Sequence, residues 1–316
     1  MDITRRTALT AFTAAAAVQA QQKYPNWKPR LGVLCDYTDS NLEFVRSEGF
    51  TSMQLRLNPD KVDDATAAAI KDKIAKAGIR VSSLACDGNH IDPNPAARER
   101  QNQFAVKCIE LAGKLGIPAI GGQSGTMRGR PLAEQVDEIK KVYTEKYFPA
   151  LEKNKVRLLW EPYQGGPNIA TGPIGWDALF KAFGPGLPIG LQFDPSHLIW
   201  QFMDPVQAAR DFADKIYDVH LKDTEILWHV VRRGGIQPVN GARWWRFRVP
   251  GYGSVDWKGF FSVLAESGYT GSMNIENEDE FYYPSNTPDG NFTEQFKRGF
   301  RVAHEFLKTL VPPVTA

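Results

Sequence analysis

Four residues of metal-binding types each come directly after a short run of mostly hydrophobic residues. Glu161 ends Leu-Leu-Trp-Glu, and Asp194 ends Leu-Gln-Phe-Asp. His220 ends Tyr-Asp-Val-His, and Glu276 ends Met-Asn-Ile-Glu. Three carboxylates that converge in an apolar setting repel one another unless a cation lies between them. Three oxygen ligands and one imidazole suit Mn²⁺, Mg²⁺, Co²⁺ or Fe²⁺ and leave positions for a substrate. The sequence therefore predicts a site for one divalent cation, and we expect Mn²⁺.

The alternative for each of these residues is a structural role, as a helix N-cap or a hydrogen-bonded polar group of the core. For any one of them taken alone, that explanation is the more common. Four such residues in register at the ends of successive predicted strands favour the metal site instead.

A divalent cation beside a carbonyl group supports a defined chemistry. Chelation by a carbonyl oxygen and the neighbouring hydroxyl lowers the pKa of the C–H bond between them and stabilises an enediolate. One carboxylate can then take the proton, and another can return it to the opposite face or to the next carbon. Lys222 lies two residues after His220 and could bind the negative oxygen, or it could be an ordinary surface lysine.

Strand-like and helix-like segments that would position these residues alternate along the chain. Strands are predicted at residues 31–35, 52–57, 79–86, 118–122, 156–160, 189–193, 216–221 and 272–275. Helices are predicted at residues 41–48, 60–77, 96–115, 132–153, 176–183, 205–213, 257–267 and 291–310. Eight strand–helix units in one zone of composition predict an α/β fold, a single-domain (β/α)8 TIM barrel. Residues at the carboxyl ends of its strands then face one site.

An open doubly wound sheet is the alternative fold. The lack of a glycine-rich phosphate loop after the first strand weighs against it. Residues 223–256 are predicted to be irregular, and a loop of that length is usually functional or disordered. The aromatic residues between positions 244 and 247 favour an ordered lid or a subunit contact.

The composition excludes several classes of protein. The chain has 316 residues, with 38 Lys and Arg against 36 Asp and Glu, whereas nucleic-acid-binding proteins usually show a strongly basic face. Three cysteines are too few for a disulfide scaffold. The longest apolar run, residues 8–18, is too short to span a bilayer. We therefore expect a small-molecule partner, with no nucleic acid and no membrane span, and a homo-oligomer is compatible with this composition.

The first twenty residues are predicted to be an export signal and to lie outside the fold. Arg5 and Arg6 precede an alanine-rich apolar stretch, and Val18-Gln19-Ala20 fits a small-x-small cleavage site. This arrangement is typical of a twin-arginine signal peptide over residues 1–20. It predicts a protein that is periplasmic or otherwise exported, whereas the alternative is a frayed basic N-terminus.

Five motifs together resemble one enzyme family. They are Trp160-Glu161-Pro162, Phe193-Asp194-Pro195-Ser196-His197, Val219-His220-Leu221-Lys222-Asp223, Arg248-Val249-Pro250-Gly251-Tyr252-Gly253 and Asn274-Ile275-Glu276. Over residues 31–310 the chain resembles the xylose isomerase-like sugar isomerase/epimerase superfamily, and within it the ketose 3-epimerases. The resemblance implies that Glu161, Asp194, His220 and Glu276 bind one divalent cation. It also implies that the two glutamates are the acid/base pair on opposite faces of a sugar.

The resemblance implies two substrate-binding residues as well. The family histidine three residues after the metal-binding aspartate corresponds to His197, and Arg248 is the nearest match to an arginine before the Pro-Gly of the seventh loop. By position alone, Gln123 after the fourth strand could bind a sugar hydroxyl. His90 after the third strand could bind a hydroxyl, act as a second base or cap a loop.

These observations predict a metal-dependent sugar isomerase or epimerase that works through an enediolate. A metal-dependent lyase that cleaves 3-keto-glycosides by β-elimination is an alternative, because it begins with the same proton abstraction. A metal-dependent endonuclease on the same barrel would need more ligands and a basic face for DNA. A non-catalytic sugar-binding barrel is a further alternative, and it would not require the glutamate pair.

Overall fold

Parallel strands form the centre of the molecule. The computed structural model describes residues 27–311, so the predicted signal peptide lies outside the described residues. The strands are β1 (Arg30–Asp36), β2 (Ser52–Arg56), β3 (Arg80–Ala85), β4 (Ala119–Gly122), β5 (Arg157–Trp160), β6 (Ile189–Phe193), β7 (Ile216–Leu221), β8 (Asp223–Ile226), β9 (Trp245–Arg248) and β10 (Ser272–Ile275). Eight of them close in the order β1-β10-β7-β6-β5-β4-β3-β2. The predicted single-domain (β/α)8 barrel is confirmed.

Helices surround the barrel and connect its strands. They are α1 (Asp39–Ser47), α2 (Asp64–Ala77), α3 (Pro95–Leu115), α4 (Leu132–Val142), α5 (Phe148–Asn154), α6 (Pro173–Phe183), α7 (Pro195–Ile199), α8 (Pro205–Asp211), α9 (Trp228–Gly234), α10 (Trp257–Glu266) and α11 (Glu294–Lys308). Short-range signals set their ends: Asn94 accepts hydrogen bonds at the start of α3, and Gly116 ends it with a left-handed backbone. Within residues 27–311, no helix is long and apolar enough to cross a membrane.

Two segments differ most from the sequence-based expectation. The single helix predicted over 132–153 is instead α4, one π-helical turn over Tyr143–Tyr147, and α5. Pro149 lies in the first turn of α5 and has no N–H to continue a regular helix. The prediction that 223–256 is irregular is wrong: β8 and β9 pair there as an antiparallel ribbon, and α9 lies between them.

The barrel interior is partly polar below the carboxyl ends of its strands. The buried Asp218 Oδ2 accepts hydrogen bonds from Ser82 Oγ at 3.1 Å, Ser83 Oγ at 2.7 Å and Gln192 Nε2 at 3.0 Å. Its Oδ1 accepts one from Asn274 Nδ2 at 3.2 Å. We refer to these five residues as the interior group. Burial raises the pKa of Asp218, and the nearby His220 and these hydrogen bonds only partly offset that rise.

Candidate metal centre

Four barrel strands bring the predicted ligands together at their carboxyl ends. Glu161, Asp194 and Glu276 directly follow β5, β6 and β10, while His220 is the second-last residue of β7. All four are buried, and one ligand atom from each lies within 4.8 Å of the other three. An octahedral Mg²⁺ with bonds of about 2.1 Å separates opposite ligands by about 4.2 Å. These residues, which we refer to as the ligand group, therefore fit a divalent cation after small side-chain adjustments.

Asp194 combines a helix cap with an unpartnered oxygen. Its Oδ1 accepts a hydrogen bond from the N–H of Ser196 at 2.8 Å and so caps α7. Its buried Oδ2 has no hydrogen-bond partner among the described residues, although Lys222 Nζ approaches to 3.1 Å. A buried carboxylate oxygen that has an ammonium group nearby but accepts no hydrogen bond is only partly stabilised, and a cation at this point would stabilise it further. The structural explanation therefore holds for Asp194, and the free oxygen leaves its predicted role as a metal ligand open.

His220 is oriented by a residue that sequence reasoning missed. Its Nδ1 lies 3.0 Å from Glu161 Oε1 and 3.1 Å from Glu276 Oε2. Its Nε2 contacts Gln54 Oε1 on β2. When Nε2–H donates to Gln54, the lone pair is on Nδ1, which is the atom that faces the ligand group. The only signal in the sequence was one amide inside the otherwise apolar stretch Met-Gln-Leu.

The charges of the ligand group hold one another ionised. Burial alone would lower the pKa of His220, but the negative charges of Glu276 and Glu161 raise it well above the usual range. Burial alone would raise the pKa of Glu276, but Lys222 and His220 hold it well below the usual range. The carboxylates thus remain charged in a buried setting. A divalent cation would supply the positive charge that the imidazolium otherwise provides.

Lys222 lies inside the site, which excludes the surface-lysine alternative. Its fully buried Nζ is 2.7 Å from Glu276 Oε2 and 2.9 Å from Glu278 Oε2. Burial would lower the pKa of Lys222, but Asp194 and the two glutamates raise it well above the usual range. His197 lies beside it, with Nε2 3.2 Å from the lysine Nζ. The structure thus brings two of the predicted substrate-binding residues to the ligand group.

The remaining predicted substrate-binding residues are engaged with other parts of the protein. His90 is buried with Nδ1 2.8 Å from the hydroxyl of Tyr147, and burial lowers its pKa to about 4. Arg248 donates to Asp279 Oδ2 at 2.9 Å and to Glu225 Oε2 at 2.6 Å. These contacts are structural ones, and substrate binding by either residue stays a prediction.

Gln123 contacts the end of β3 through both of its amide atoms. Its Nε2 donates to Asp87 Oδ1 at 3.0 Å, and its Oε1 accepts from the N–H of Gly88 at 2.9 Å. Asp87 itself was not among the predicted site residues. Its only signal in the sequence was its position directly after the third predicted strand, which ends at Cys86.

Comparison with known proteins identifies the family. The family model described as "Xylose isomerase-like TIM barrel" matches residues 42–308. The chain belongs to this family. An uncharacterized protein of Bacillus subtilis, YfiH, is 31% identical over 65% of this chain and 74% of its own length.

Further relatives carry more specific names. An inosose dehydratase of Clostridium tetani is 28% identical over 52% of this chain and 58% of that enzyme, so the match spans little more than half of it. Among solved structures, an L-ribulose 3-epimerase is 20% identical with a TM-score of 0.67, covering 89% of this chain and 94% of that one. At this identity the structural likeness concerns the fold of the xylose isomerase-like barrel.

Proposed function

We propose that the protein is a divalent-metal-dependent isomerase or epimerase that removes a proton next to the carbonyl group of a keto-sugar. The observation that carries this proposal is that two buried, ionised glutamates from different strands converge on one imidazole nitrogen. Glu161 and Glu276 come from β5 and β10, and both reach His220 Nδ1. Two carboxylates that reach one point from different strands can take a proton from one face of a bound substrate and return it to the other.

Each residue of the site has a defined task in this proposal. A divalent cation, when bound, would acidify the C–H bond next to the carbonyl group and favour the enediolate. Glu161 and Glu276 would hold the cation together with Asp194 and His220, and the two glutamates would also move the proton. Lys222 directs its ammonium group at Glu276 and favours the negatively charged enediolate oxygen. Burial of the group keeps water from protonating the intermediate.

Hydrogen–deuterium exchange in D₂O tests the proposal. The purified protein is stripped with a chelator, reloaded with MnCl₂, and incubated with D-psicose, D-tagatose and inosose while proton NMR follows the carbon-bound hydrogens. Exchange is expected only in the reloaded protein, and it should be lost in His220→Ala. Sugar binding without exchange on any probe would overturn the proposal in favour of a non-catalytic barrel.

Elimination is the second candidate function. The relative from Clostridium tetani is named an inosose dehydratase, and loss of water next to a carbonyl also begins with removal of the neighbouring proton. The same elimination reaction would cleave a 3-keto-glycoside, in which the leaving group is an alcohol instead of water. Release of water or of the aglycone, with an unsaturated ketone detected by ultraviolet absorbance, would assign a lyase. Recovery of an isomeric sugar of unchanged mass would assign the isomerase.

We further propose that the chain is exported by the twin-arginine route. The sequence of the first twenty residues supports this, since the paired arginines precede an apolar stretch and a cleavage motif. Changing Arg5 and Arg6 together to lysine should leave the uncut precursor in the cytoplasm. Normal appearance of the mature form outside the inner membrane would contradict it.

A further inference from the structure

Asp87 is a carboxylate at the barrel mouth that the proposed chemistry does not use. It follows β3, and its side chain is exposed to solvent. Residues at the carboxyl ends of barrel strands face the site. The surrounding protein still removes part of the water around this carboxylate. That loss of hydration and the negative charges of Glu161 and Glu276 raise the pKa of Asp87 to about 6. Asp87 thus shares one cleft with the ligand group.

Both the backbone and the side chain of Asp87 are held in place. Gln123 Nε2 donates to its Oδ1 at 3.0 Å, and Gln101 Nε2 donates to its backbone oxygen at 3.0 Å. The neighbouring glycines allow this close packing. A Cβ at Gly122 would lie 3.1 Å from Asp87 Oδ1, and a Cβ at Gly88 would lie 2.2 Å from the side chain of Gln101. The orientation of the carboxylate is therefore fixed before any ligand arrives.

One oxygen of this carboxylate remains available. Within residues 27–311, the hydrogen bond from Gln123 reaches Oδ1, and no protein donor reaches Oδ2. The charges around Oδ2 decide which functional group of a substrate can bind to it. Three carboxylates of the ligand group share the cleft. An anionic group on a substrate would therefore be repelled. A hydroxyl group is a neutral donor, and its hydrogen bond to a charged acceptor is stronger than one to a neutral acceptor.

We propose that Asp87 binds one hydroxyl group of the substrate through Oδ2 and so determines which polyhydroxylated ketone is accepted. Gln123 is the positioning residue that keeps the carboxylate aimed at that hydroxyl. This inference rests on the proposed function, because it concerns the substrate of the same site. It adds a recognition residue just after β3, a strand that lies across the barrel from β6 and β7, which position Asp194 and His220.

A double-mutant cycle with deoxygenated probes tests the inference. D-psicose and inosose are each compared with analogues that lack a single hydroxyl away from the reacting carbon. In the wild-type protein, one analogue should lose about 10- to 150-fold in kcat/KM, the range of a hydrogen bond to a charged group. In Asp87→Ala the same analogue should react as fast as its parent sugar, while the ratios for the other analogues stay unchanged. Asp87→Asn should recover part of the loss, since its amide can still pair with a hydroxyl.

Asp92→Asn is the matched control. Asp92 lies in the same loop, but its Oδ1 accepts from the N–H of Asn94, a bond that asparagine preserves. This variant should keep every wild-type ratio. Asp87→Ala should retain the wild-type metal content, and a fall in that content would make Asp87 a metal ligand and overturn the proposal.

Failure of the inference is distinct from failure of the proposed function. Identical analogue ratios in wild type and Asp87→Ala, with both proteins active, would refute the role of Asp87 alone. Absence of exchange in the metal-loaded wild type on every probe would refute the proposed function, and the substrate role of Asp87 with it.

Discussion

Two buried polar groups lie along the same barrel strands, and they satisfy their charges in opposite ways. Asp218 of the interior group and His220 of the ligand group are two residues apart on β7, so their side chains point to the same side of the strand. The Asp218 carboxylate accepts hydrogen bonds from four neutral side chains. The carboxylates of the ligand group instead face cationic side chains, and Asp194 Oδ2 has no hydrogen bond within residues 27–311.

This difference separates a structural cluster from a site. A buried carboxylate is stable when neutral donors saturate it, as they do around Asp218. Charged groups that are gathered together and left short of hydrogen bonds are costly, so they indicate a ligand that completes them. Burial and acidity alone, which both groups share, do not identify the reactive one.

The largest expected effect comes from the glutamate pair. Glu161→Gln and Glu276→Gln each keep an oxygen ligand but lose the proton acceptor, so kcat should fall by ~10²–10⁴ at saturating Mn²⁺. Deuterium exchange at the substrate carbon should survive in at most one of them, from the face whose glutamate remains. Glu99→Gln, which changes an exposed glutamate of α3, is the control. Full exchange in both glutamine variants would leave only the metal-binding role.

A buried histidine outside the ligand group should report on stability instead of catalysis. His90 has its pKa lowered to about 4 by burial, whereas the unfolded chain binds a proton near pH 6.5. Its contribution to stability is therefore fully present above pH 6.5 and is lost as the pH falls towards 4. The loss amounts to about 3 kcal/mol of unfolding free energy. Urea unfolding from pH 7 to pH 4 should show this loss in the wild type and a smaller one in His90→Gln.

His229 provides the matched histidine for that measurement. It is exposed on α9, so His229→Gln should reproduce the wild-type pH dependence. Equal pH dependence in wild type and His90→Gln would show that His90 does not carry the effect.

The next effect concerns the orientation of His220. Removing the acceptor in Gln54→Ala frees the imidazole to adopt the other tautomer, and metal affinity should fall about 10- to 100-fold. Gln54→Glu keeps an acceptor for Nε2–H and should recover most of that loss. Competition with a chelator of known affinity measures both variants. Unchanged affinity in Gln54→Ala would mean that the ligand group orients His220 without help from β2.

Local sequence patterns predicted the strands that carry the ligands, because each ligand directly follows a short run of mostly hydrophobic residues. The bounds of β6, β7 and β10 agree with the predicted segments. Local sequence patterns could not predict contacts between residues on strands that are far apart in the sequence. Gln54 and His220 are 166 residues apart, and only closure of the barrel brings them together. Asp87 and Gln123 meet for the same reason, on neighbouring strands joined by a long helix.

The β8–β9 ribbon was missed for a related physical reason. Eighteen residues separate the two strands. The sequence therefore contains no short hairpin turn that would predict their pairing. Trp245 and Phe247 alternate with Arg246 and Arg248, which is the period of a strand. That signal spans only four residues, which is too short to predict a strand by itself. In the structure, the pairing of Asp223 with Arg248 accounts for it.

The smallest expected effect comes from making one substitution in both groups, which tests directly whether they differ in metal binding. Asp218→Asn and Asp194→Asn are the same chemical change on neighbouring strands. In the interior group, asparagine disturbs the hydrogen bonds that saturate the Asp218 carboxylate, which should cost about 1–2 kcal/mol of unfolding free energy, with metal content unchanged. In the ligand group, asparagine keeps the cap of α7 but removes a charge that a cation needs. Metal content should therefore fall in Asp194→Asn. Loss of metal in both variants would show that the two groups act as one, because the separation between a saturated carboxylate and an unsatisfied one would then not predict where a cation binds.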